Sequence, residues 1–201
     1  MIRVLLAEDQ AMVRGALRTL LDLEDDISVV CEVGRGDEVV PAARTCLPDV
    51  ALLDIEMPGG DGIEAARELT AALPDCRVVV LTTFGRPGFL RRAMEVGAAG
   101  FLVKDSPVAE LAVAIRKVVA GERVIDRDLA AAALAMGATP LSTREADVLR
   151  AAADGATVAD IARSLYLSEG TVRNYLSNAI GKTGARTRVE AARVAEDKGW
   201  L

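Results

Sequence analysis

Residues 50–54 read Val50-Ala51-Leu52-Leu53-Asp54, a short apolar run that ends on a carboxylate. Three further runs share this design, since each is mainly apolar and is followed closely by a charged or hydroxyl side chain: Ile2-Arg3-Val4-Leu5-Leu6-Ala7, Val78-Val79-Val80-Leu81 and Gly100-Phe101-Leu102-Val103. Runs of this length, separated by helical patterns, are typical of strands buried on both faces of a parallel sheet. These segments therefore predict an α/β fold.

Helical patterns alternate with the strands over the first 120 residues. They are predicted at 11–23, 37–45, 62–72, 87–96 and 108–120, and a fifth strand is predicted at 29–33. This alternation predicts a doubly wound, five-stranded parallel sheet. The expected strand order is 2-1-3-4-5, one of the common doubly wound orders.

Polar side chains stand at the carboxyl ends of four strands. These side chains are Asp9, Asp54, Thr82 and Lys104. In open α/β sheets the ligand site lies outside the carboxyl ends of the strands, so we expect the four side chains to converge in space. Mg²⁺ takes hard oxygen ligands and often binds one or two carboxylates together with a phosphate. We therefore expect Asp9 and Asp54 to bind Mg²⁺, with Glu8 acting directly or through water and the backbone carbonyl of Glu56 completing the set.

Asp54 is also predicted to be a nucleophile, because a carboxylate can accept a phosphoryl group and form an aspartyl phosphate. Lys104 would neutralise charge on the phosphoryl group, and Thr82 would donate its hydroxyl to a phosphoryl oxygen. Each residue taken singly has an ordinary alternative, since Asp9 could cap the following helix and a lysine at a strand end is usually solvated. Their combination at one sheet edge favours a phosphoryl site.

The composition excludes several classes of site. The chain has no histidine, which rules out Ser-His-Asp triads and HExxH zinc sites, so phosphoryl transfer through an imidazole must use a partner's histidine. The cysteines at positions 31, 46 and 76 lack metal-ligand spacing. No apolar run approaches the roughly 18 residues of a membrane span, and no signal peptide is evident. We therefore expect a cytoplasmic protein without a membrane partner.

The charge pattern indicates two domains with different partners. Residues 1–120 hold 13 Lys and Arg against 19 Asp and Glu, whereas residues 141–201 hold 9 against 8. Residues 121–140 read as a linker that contains an alanine-rich helix at 129–136. The rest is helical, with a first helix that is capped by Ser142 or Thr143, has Glu145 in a capping box and ends at Ala153. Further helices are predicted at 158–165, 169–182 and 187–197.

The helices on either side of Tyr166-Leu167-Ser168 fit a helix-turn-helix. The second of them carries polar residues suited to base edges, because arginine reads guanine and asparagine reads adenine. The predicted DNA contacts are Thr171, Arg173, Asn174, Ser177 and Asn178, with Lys182 as a phosphate contact. The alternative is a protein-binding module with a solvated polar face, since this part of the chain is nearly neutral.

The strand-end motifs resemble those of a bacterial response-regulator receiver domain over residues 1–120. The matching segments are Glu8-Asp9, Leu52-Leu53-Asp54-Ile55-Glu56-Met57-Pro58, Leu81-Thr82-Thr83-Phe84 and Phe101-Leu102-Val103-Lys104. The resemblance implies that Asp54 takes its phosphoryl group from a sensor histidine kinase and that Thr82 and Phe101 form a switch pair. Glu8 stands where the family more often has aspartate.

Residues 141–201 are similar to the LuxR/FixJ-type four-helix DNA-binding domain, through Leu141-Ser142-Thr143-Arg144-Glu145 and Ser168-Glu169-Gly170-Thr171-Val172-Arg173-Asn174. Gly181 and Thr183 depart from the usual pattern near the end of the recognition helix. The resemblance implies a dimer contact through the last helix, with Val189, Ala192 and Arg193, and a double-stranded DNA target made of repeated half-sites.

The whole chain therefore resembles a NarL/FixJ-family response regulator, in which phosphorylation would favour a homodimer and control transcription. Its start, Ala7-Glu8-Asp9-Gln10, and its Lys198-Gly199-Trp200 ending are most similar to the branch that controls a membrane-lipid desaturase gene.

Three other functions fit parts of the sequence. A phosphatase with an aspartyl nucleophile would use Glu56 as its acid, but no cap domain for a substrate follows. A regulator that binds a small signal would need an apolar and aromatic pocket, and aromatic residues make up only 3% of the chain. An atypical receiver that works without phosphate would not need the complete pocket. Because the phosphatase alternative lacks a cap domain for a substrate, we do not expect an enzyme.

Overall fold

The computed structural model describes residues 1–83, 85, 87–105, 108–126, 129–131, 133, 139–153 and 155–201. The chain divides into two compact units, one of Met1–Gly85 and Leu90–Ala130 and the other of Arg86–Phe89 and Ala131–Leu201. The main division falls inside residues 121–140, the predicted linker, and the proposed domain limits stay a prediction. The helix predicted at 129–136 lies largely outside the described residues.

Over the described part of residues 1–125, strands and helices alternate along the chain. The strands are β1 (Ile2–Ala7), β2 (Ile27–Val33), β3 (Val50–Asp54), β4 (Arg77–Thr82), β5 (Gly100–Val103) and β6 (Val124–Ile125). The helices are α1 (Ala11–Leu21), α2 (Val39–Cys46), α3 (Gly62–Ala72), α4 (Pro87–Glu95) and α5 (Val108–Val119), with a 3₁₀ turn at Gly36–Glu38. This series confirms the predicted α/β fold.

The strands form one parallel sheet in the order β2-β1-β3-β4-β5-β6. The first five strands confirm the predicted order 2-1-3-4-5. The sixth strand corrects the predicted strand number, because Val124 and Ile125 pair with Gly100 and Phe101 from within the predicted linker. A strand of two residues is too short to show a periodic hydrophobic pattern, which is why the sequence did not reveal it.

The centre of the sheet is buried on both faces. All five residues of β3 are buried, and Leu52 packs in one cluster with Leu6 of β1, Val79 of β4 and Ile115 of α5. Such interiors are packed about as densely as organic crystals, so they hold the strand ends in fixed positions. The site at the carboxyl edge of the sheet is therefore supported by a rigid apolar core.

The second unit contains α6 (Thr143–Ala153), α7 (Val158–Ser164), α8 (Glu169–Thr183) and α9 (Arg188–Asp197). Side chains cap each of these helices: Ser142 and Glu145 form the predicted capping box at α6, and Thr157, Ser168 and Thr187 cap the other three. Their apolar faces meet in a core that includes Leu149, Ile161, Val172 and Leu176. Within the described part of the chain, the helices are all too short or too polar to cross a membrane.

A close approach at Gly62 generates a stability prediction. A methyl group at position 62 would lie 1.8 Å from the backbone oxygen of Asp54. We expect Gly62→Ala to displace the end of β3 and to lower the free energy of unfolding by about 1–3 kcal/mol, measured by urea denaturation.

Gly15 in α1 is the matched control, because a methyl group there meets nothing within 4 Å. Gly15→Ala is expected to raise the free energy of unfolding by about 0.5–1 kcal/mol, since alanine favours a helix interior more than glycine does. Equal effects of the two substitutions would show that the contact with Asp54 does not matter.

Candidate functional site

Three carboxylates meet at the carboxyl edge of the sheet. Glu8 and Asp9 follow β1 directly, and Asp54 is the last residue of β3. One oxygen of each carboxylate lies within 4.8 Å of the others. Glu8 and Asp54 are 0% and 3% exposed, whereas Asp9 is exposed to solvent. Glu8 and Asp54 are therefore buried, and Asp9 forms the solvent-exposed side of the cluster.

Lys104 joins two of these acids. Its Nζ lies 2.6 Å from Glu8 Oε2 and 3.0 Å from Asp54 Oδ2. The backbone N–H of Lys104 donates to the carbonyl of Thr82 at 2.8 Å, which fixes the residue just beyond β5 against the end of β4. When ionised, the three carboxylates and this ammonium group together carry a net charge of −2, which matches a divalent cation.

Burial and the neighbouring charges both shift the pKa values of Glu8 and Lys104. Burial raises the pKa of the Glu8 carboxyl, and the charge of Asp54 adds to the increase although contact with Lys104 opposes it. Burial alone would lower the pKa of Lys104, but its contacts with Glu8 and Asp54 outweigh burial and raise that pKa. The set of oxygen donors, with negative charge in excess, fits a hard cation such as Mg²⁺.

Arg14 of α1 holds the loop that carries the first two acids. Its guanidinium donates to the backbone carbonyl of Glu8 and, at 3.5 Å, to that of Asp9. The same guanidinium lies 4.0 Å from the carboxylate of Glu32 in β2. Sequence reasoning missed Arg14 because a main-chain contact from a helical arginine leaves no motif in the sequence.

The remaining predicted pocket residues lie on two neighbouring strands and in the loop after β3. Thr82 ends β4 and is 4% exposed, and Phe101 in β5 is fully buried. Phe101 pairs with Val80, two residues before Thr82, so Phe101 and Thr82 belong to the same region of the sheet. Glu56 follows Asp54 by two residues, and it is exposed.

The predicted DNA-contacting residues lie on α8, with α7 and a short turn before it. Arg173, Asn174, Ser177 and Asn178 are exposed, whereas Thr171 is half-buried. The opposite side of the helix, with Val172, Leu176 and Ala179, is buried. α8 runs without interruption through Gly181 to Thr183, whose hydroxyl donates to the carbonyls of Ala179 and Ile180.

Two predicted contacts in this unit have structural partners. Lys182 Nζ lies 2.6 Å from Glu145 Oε2, and the Glu145 side chain is only 5% exposed. The ammonium group therefore ties the start of α6 to the end of α8. Arg173 also forms an ion pair, at 2.6 Å from Glu169, but the side chains of both residues are more than half exposed.

The residues predicted for a dimer contact do not share one surface. Val189 is 64% exposed and Arg193 is also exposed. Ala192 is 3% exposed and packs in the core of the unit, so its burial is not compatible with a surface role and corrects the prediction.

Comparison with known proteins covers both units. Residues 4–116 match the response regulator receiver domain, and residues 139–195 match the bacterial regulatory proteins of the luxR family. Two relatives from Bacillus subtilis strain 168 align over 201 residues and the full length of both chains: the uncharacterized transcriptional regulatory protein YvfU at 47% identity and the transcriptional regulatory protein DesR at 45%. The crystal structure of the response regulator ChrA, from a heme-sensing two-component system, is 34% identical with a TM-score of 0.58 and covers 100% of this chain and 98% of its own.

A receiver followed by a LuxR-type helix-turn-helix defines a transcriptional response regulator rather than an enzyme. The chain belongs to the NarL/FixJ family of two-component response regulators. The assignment to the branch that controls a membrane-lipid desaturase gene stays a prediction.

The Lys182–Glu145 pair generates a prediction about stability and pH. Burial would raise the pKa of Glu145, but Lys182 and Ser142 outweigh burial and hold that pKa below 4.5. A lowered pKa stabilises the folded state above pH 4.5, and this stabilisation is lost as the pH falls through the folded-state value. We expect Lys182→Met to lower the free energy of unfolding by about 1–3 kcal/mol at pH 7, and the difference from wild type to shrink as Glu145 becomes protonated in acid.

The single tryptophan, Trp200, packs against the core of the helical unit, so its fluorescence reports the unfolding of that unit. Arg173→Met is the matched control, and we expect it to change the free energy of unfolding by less than about 0.5 kcal/mol because its ion pair is exposed. If Lys182→Met is as stable as wild type at pH 7, the pair with Glu145 contributes little to folding. The Lys182 side chain of the wild-type protein is then available for the predicted phosphate contact.

Proposed function

We propose that Asp54 accepts a phosphoryl group from the phosphohistidine of a sensor kinase and that this phosphorylation controls DNA binding. The observation that carries the proposal is the contact of Lys104 with both Glu8 and Asp54 in a buried cluster of acids. An oxygen of the Asp54 carboxylate attacks the phosphorus, the bond from phosphorus to the imidazole nitrogen breaks, and an acyl phosphate forms. The kinase imidazole leaves with the bonding electrons and takes up a proton.

We propose Glu8, Asp9 and Asp54 as the residues that hold Mg²⁺, together with the backbone carbonyl of Glu56. When bound, Mg²⁺ would reduce the repulsion between the carboxylates and the phosphoryl oxygens. The spacing of the acids and their excess negative charge support this assignment. Lys104 lies close enough to Asp54 Oδ2 to move from the carboxylate to a phosphoryl oxygen with a small change in its side chain.

Thr82 and Phe101 are our candidates for the residues that pass the signal from the pocket. A phosphoryl oxygen on Asp54 would offer an acceptor to the Thr82 hydroxyl at the end of the neighbouring strand. A shift of Thr82 changes the space available to Phe101, which already lies fully buried. Because packed interiors adopt discrete arrangements, such a shift can favour one of two conformations of the receiver surface.

The output we propose is binding to double-stranded promoter DNA as a homodimer. The exposed face of α8 offers Arg173, Asn174, Ser177 and Asn178, with Thr171 at its edge, for contacts in the major groove. Val189 and Arg193 of α9 remain as candidates for the dimer contact. We propose a cytoplasmic location, because the promoter DNA proposed as the target lies in that compartment.

The first test of the proposal is a phosphoryl adduct at Asp54. We expect incubation with acetyl phosphate and Mg²⁺ to add one phosphoryl group, measured by intact mass, and we expect chelation of Mg²⁺ to remove most of this product. Asp54→Asn should show no adduct, because an amide cannot form the acyl phosphate. An adduct of equal yield in Asp54→Asn would overturn the assignment.

The second test is stabilisation by Mg²⁺ itself. A cation that binds only the folded state raises its stability, by about 2.7 kcal/mol at a concentration 100 times the dissociation constant. We expect this gain in thermal unfolding to disappear in Asp54→Asn and to fall sharply in Glu8→Gln. Glu56→Gln is the matched control, since we assign only the backbone carbonyl of Glu56 to the metal; loss of the gain in this variant would be evidence for a different ligand set.

A further inference from the structure

Tyr166 combines two features that stability does not explain. It lies in the turn between α7 and α8, and its side chain is 96% exposed. Its φ of 56° is in the left-handed region, which a side chain with a Cβ rarely adopts. The residue therefore holds an aromatic ring in solvent on a strained backbone.

The main chain around Tyr166 forms a helix end that is normally built with glycine. The N–H of Leu167 donates to the carbonyl of Ala162 at 2.8 Å, and the N–H of Tyr166 approaches the carbonyl of Arg163 at 3.5 Å. These two bonds make a Schellman motif in which Tyr166 takes the left-handed position. Glycine takes a positive φ within two residues of the end of five other described helices, at Gly97, Gly121, Gly155, Gly184 and Gly199.

A tyrosine at this position costs folding free energy. Outside glycine, a left-handed residue is destabilised by about 1–2 kcal/mol, and an exposed side chain regains little of this by packing. Since glycine would satisfy the same turn without strain, the turn itself does not require the aromatic ring. The tyrosine is therefore better explained by a contact outside the chain.

We propose that Tyr166 contacts the DNA backbone, with its phenolic hydroxyl donating a hydrogen bond to a phosphate oxygen beside the major groove. Tyr166 lies two residues before Ser168, the N-cap of α8, and the N-terminal part of a recognition helix is the part that enters the groove. Tyrosine is among the side chains that bind phosphates, and such contacts set the position of a protein on DNA. This inference rests on the proposed DNA-binding function.

The surroundings favour a phosphate as the partner. Arg163, whose carbonyl faces the Tyr166 N–H, has a side chain that is 78% exposed, and its guanidinium forms a solvent-exposed ion pair with Asp160 at 3.1 Å. Ser168 and Gly170 at the start of α8 are also exposed, so the approach to the helix is open and polar. A phosphate could therefore reach the neutral hydroxyl of Tyr166 from solvent, and the exposed guanidinium of Arg163 could exchange Asp160 for a phosphate.

The test compares Tyr166→Phe and Tyr166→Gly in the full chain. The probe is a duplex recovered by selecting a random 30-base-pair library with the phosphorylated wild-type protein, and fluorescence anisotropy measures affinity. We expect Tyr166→Phe to bind about 10- to 150-fold more weakly, because a single hydrogen bond to a charged group is lost. The dependence of affinity on salt should keep the wild-type slope, because a neutral hydroxyl releases no counterion, whereas Arg163→Met should reduce the slope by about one.

Tyr166→Gly separates binding from folding. We expect it to lose at least as much affinity as Tyr166→Phe while its unfolding midpoint stays equal to wild type or rises, because the strain is removed. Leu47→Gly is the matched control: Leu47 is the other described non-glycine residue with positive φ, at 44°, and it lies in the receiver. Its substitution should leave DNA affinity unchanged.

Two outcomes would overturn the inference. If both Tyr166 variants bind the duplex within twofold of wild type, the ring serves another contact, such as one with a protein partner. If wild-type protein selects no duplex from the library, the proposed DNA binding fails and the inference fails with it. Weaker binding by the Tyr166 variants alone, with Leu47→Gly as wild type, would support the phosphate contact.

Discussion

The ammonium group of Lys104, held between Glu8 and Asp54, is the interaction on which the receiver site depends. Two buried carboxylates at one sheet edge would repel each other, and removing one partner from a buried ion pair commonly costs about 3–5 kcal/mol. Lys104 reduces that repulsion without cancelling the negative charge of the cluster. The same arrangement therefore allows the chain to fold and leaves a site that attracts a cation.

The geometry of that contact comes from the parallel sheet. Glu8 follows β1, Asp54 ends β3 and Lys104 follows β5, and the three residues meet because these parallel strands end at the same edge of the sheet. Arg14 and Gly62 help to fix the positions of the acids. Arg14 donates to the backbone carbonyls of Glu8 and Asp9, and Gly62 leaves room for the backbone oxygen of Asp54. Substitution of Arg14 or Gly62 would therefore displace a carboxylate of the site without removing any of its chemical groups.

Most of the fold could be predicted from the sequence because buried strands and capped helices leave local patterns. The strand ends at Asp54 and Thr82 and the capping box of Ser142 and Glu145 are examples. Contacts between distant segments left no such pattern. β6 was missed for its length, the pairing of Lys182 with Glu145 joins residues 37 positions apart, and the burial of Ala192 depends on how α9 packs. The roles assigned to individual site residues stay predictions.

The most direct measurement is the DNA affinity of one preparation of the full chain before and after phosphorylation. A duplex selected from a random library would be titrated with untreated protein, with protein treated with acetyl phosphate and Mg²⁺, and with Asp54→Asn treated in the same way. A coupling of about 1–3 kcal/mol between the two sites corresponds to a gain of roughly 5- to 150-fold. We predict such a gain for wild type and none for Asp54→Asn. Equal affinity before and after phosphorylation, or the same gain in the variant, would contradict control of DNA binding through Asp54.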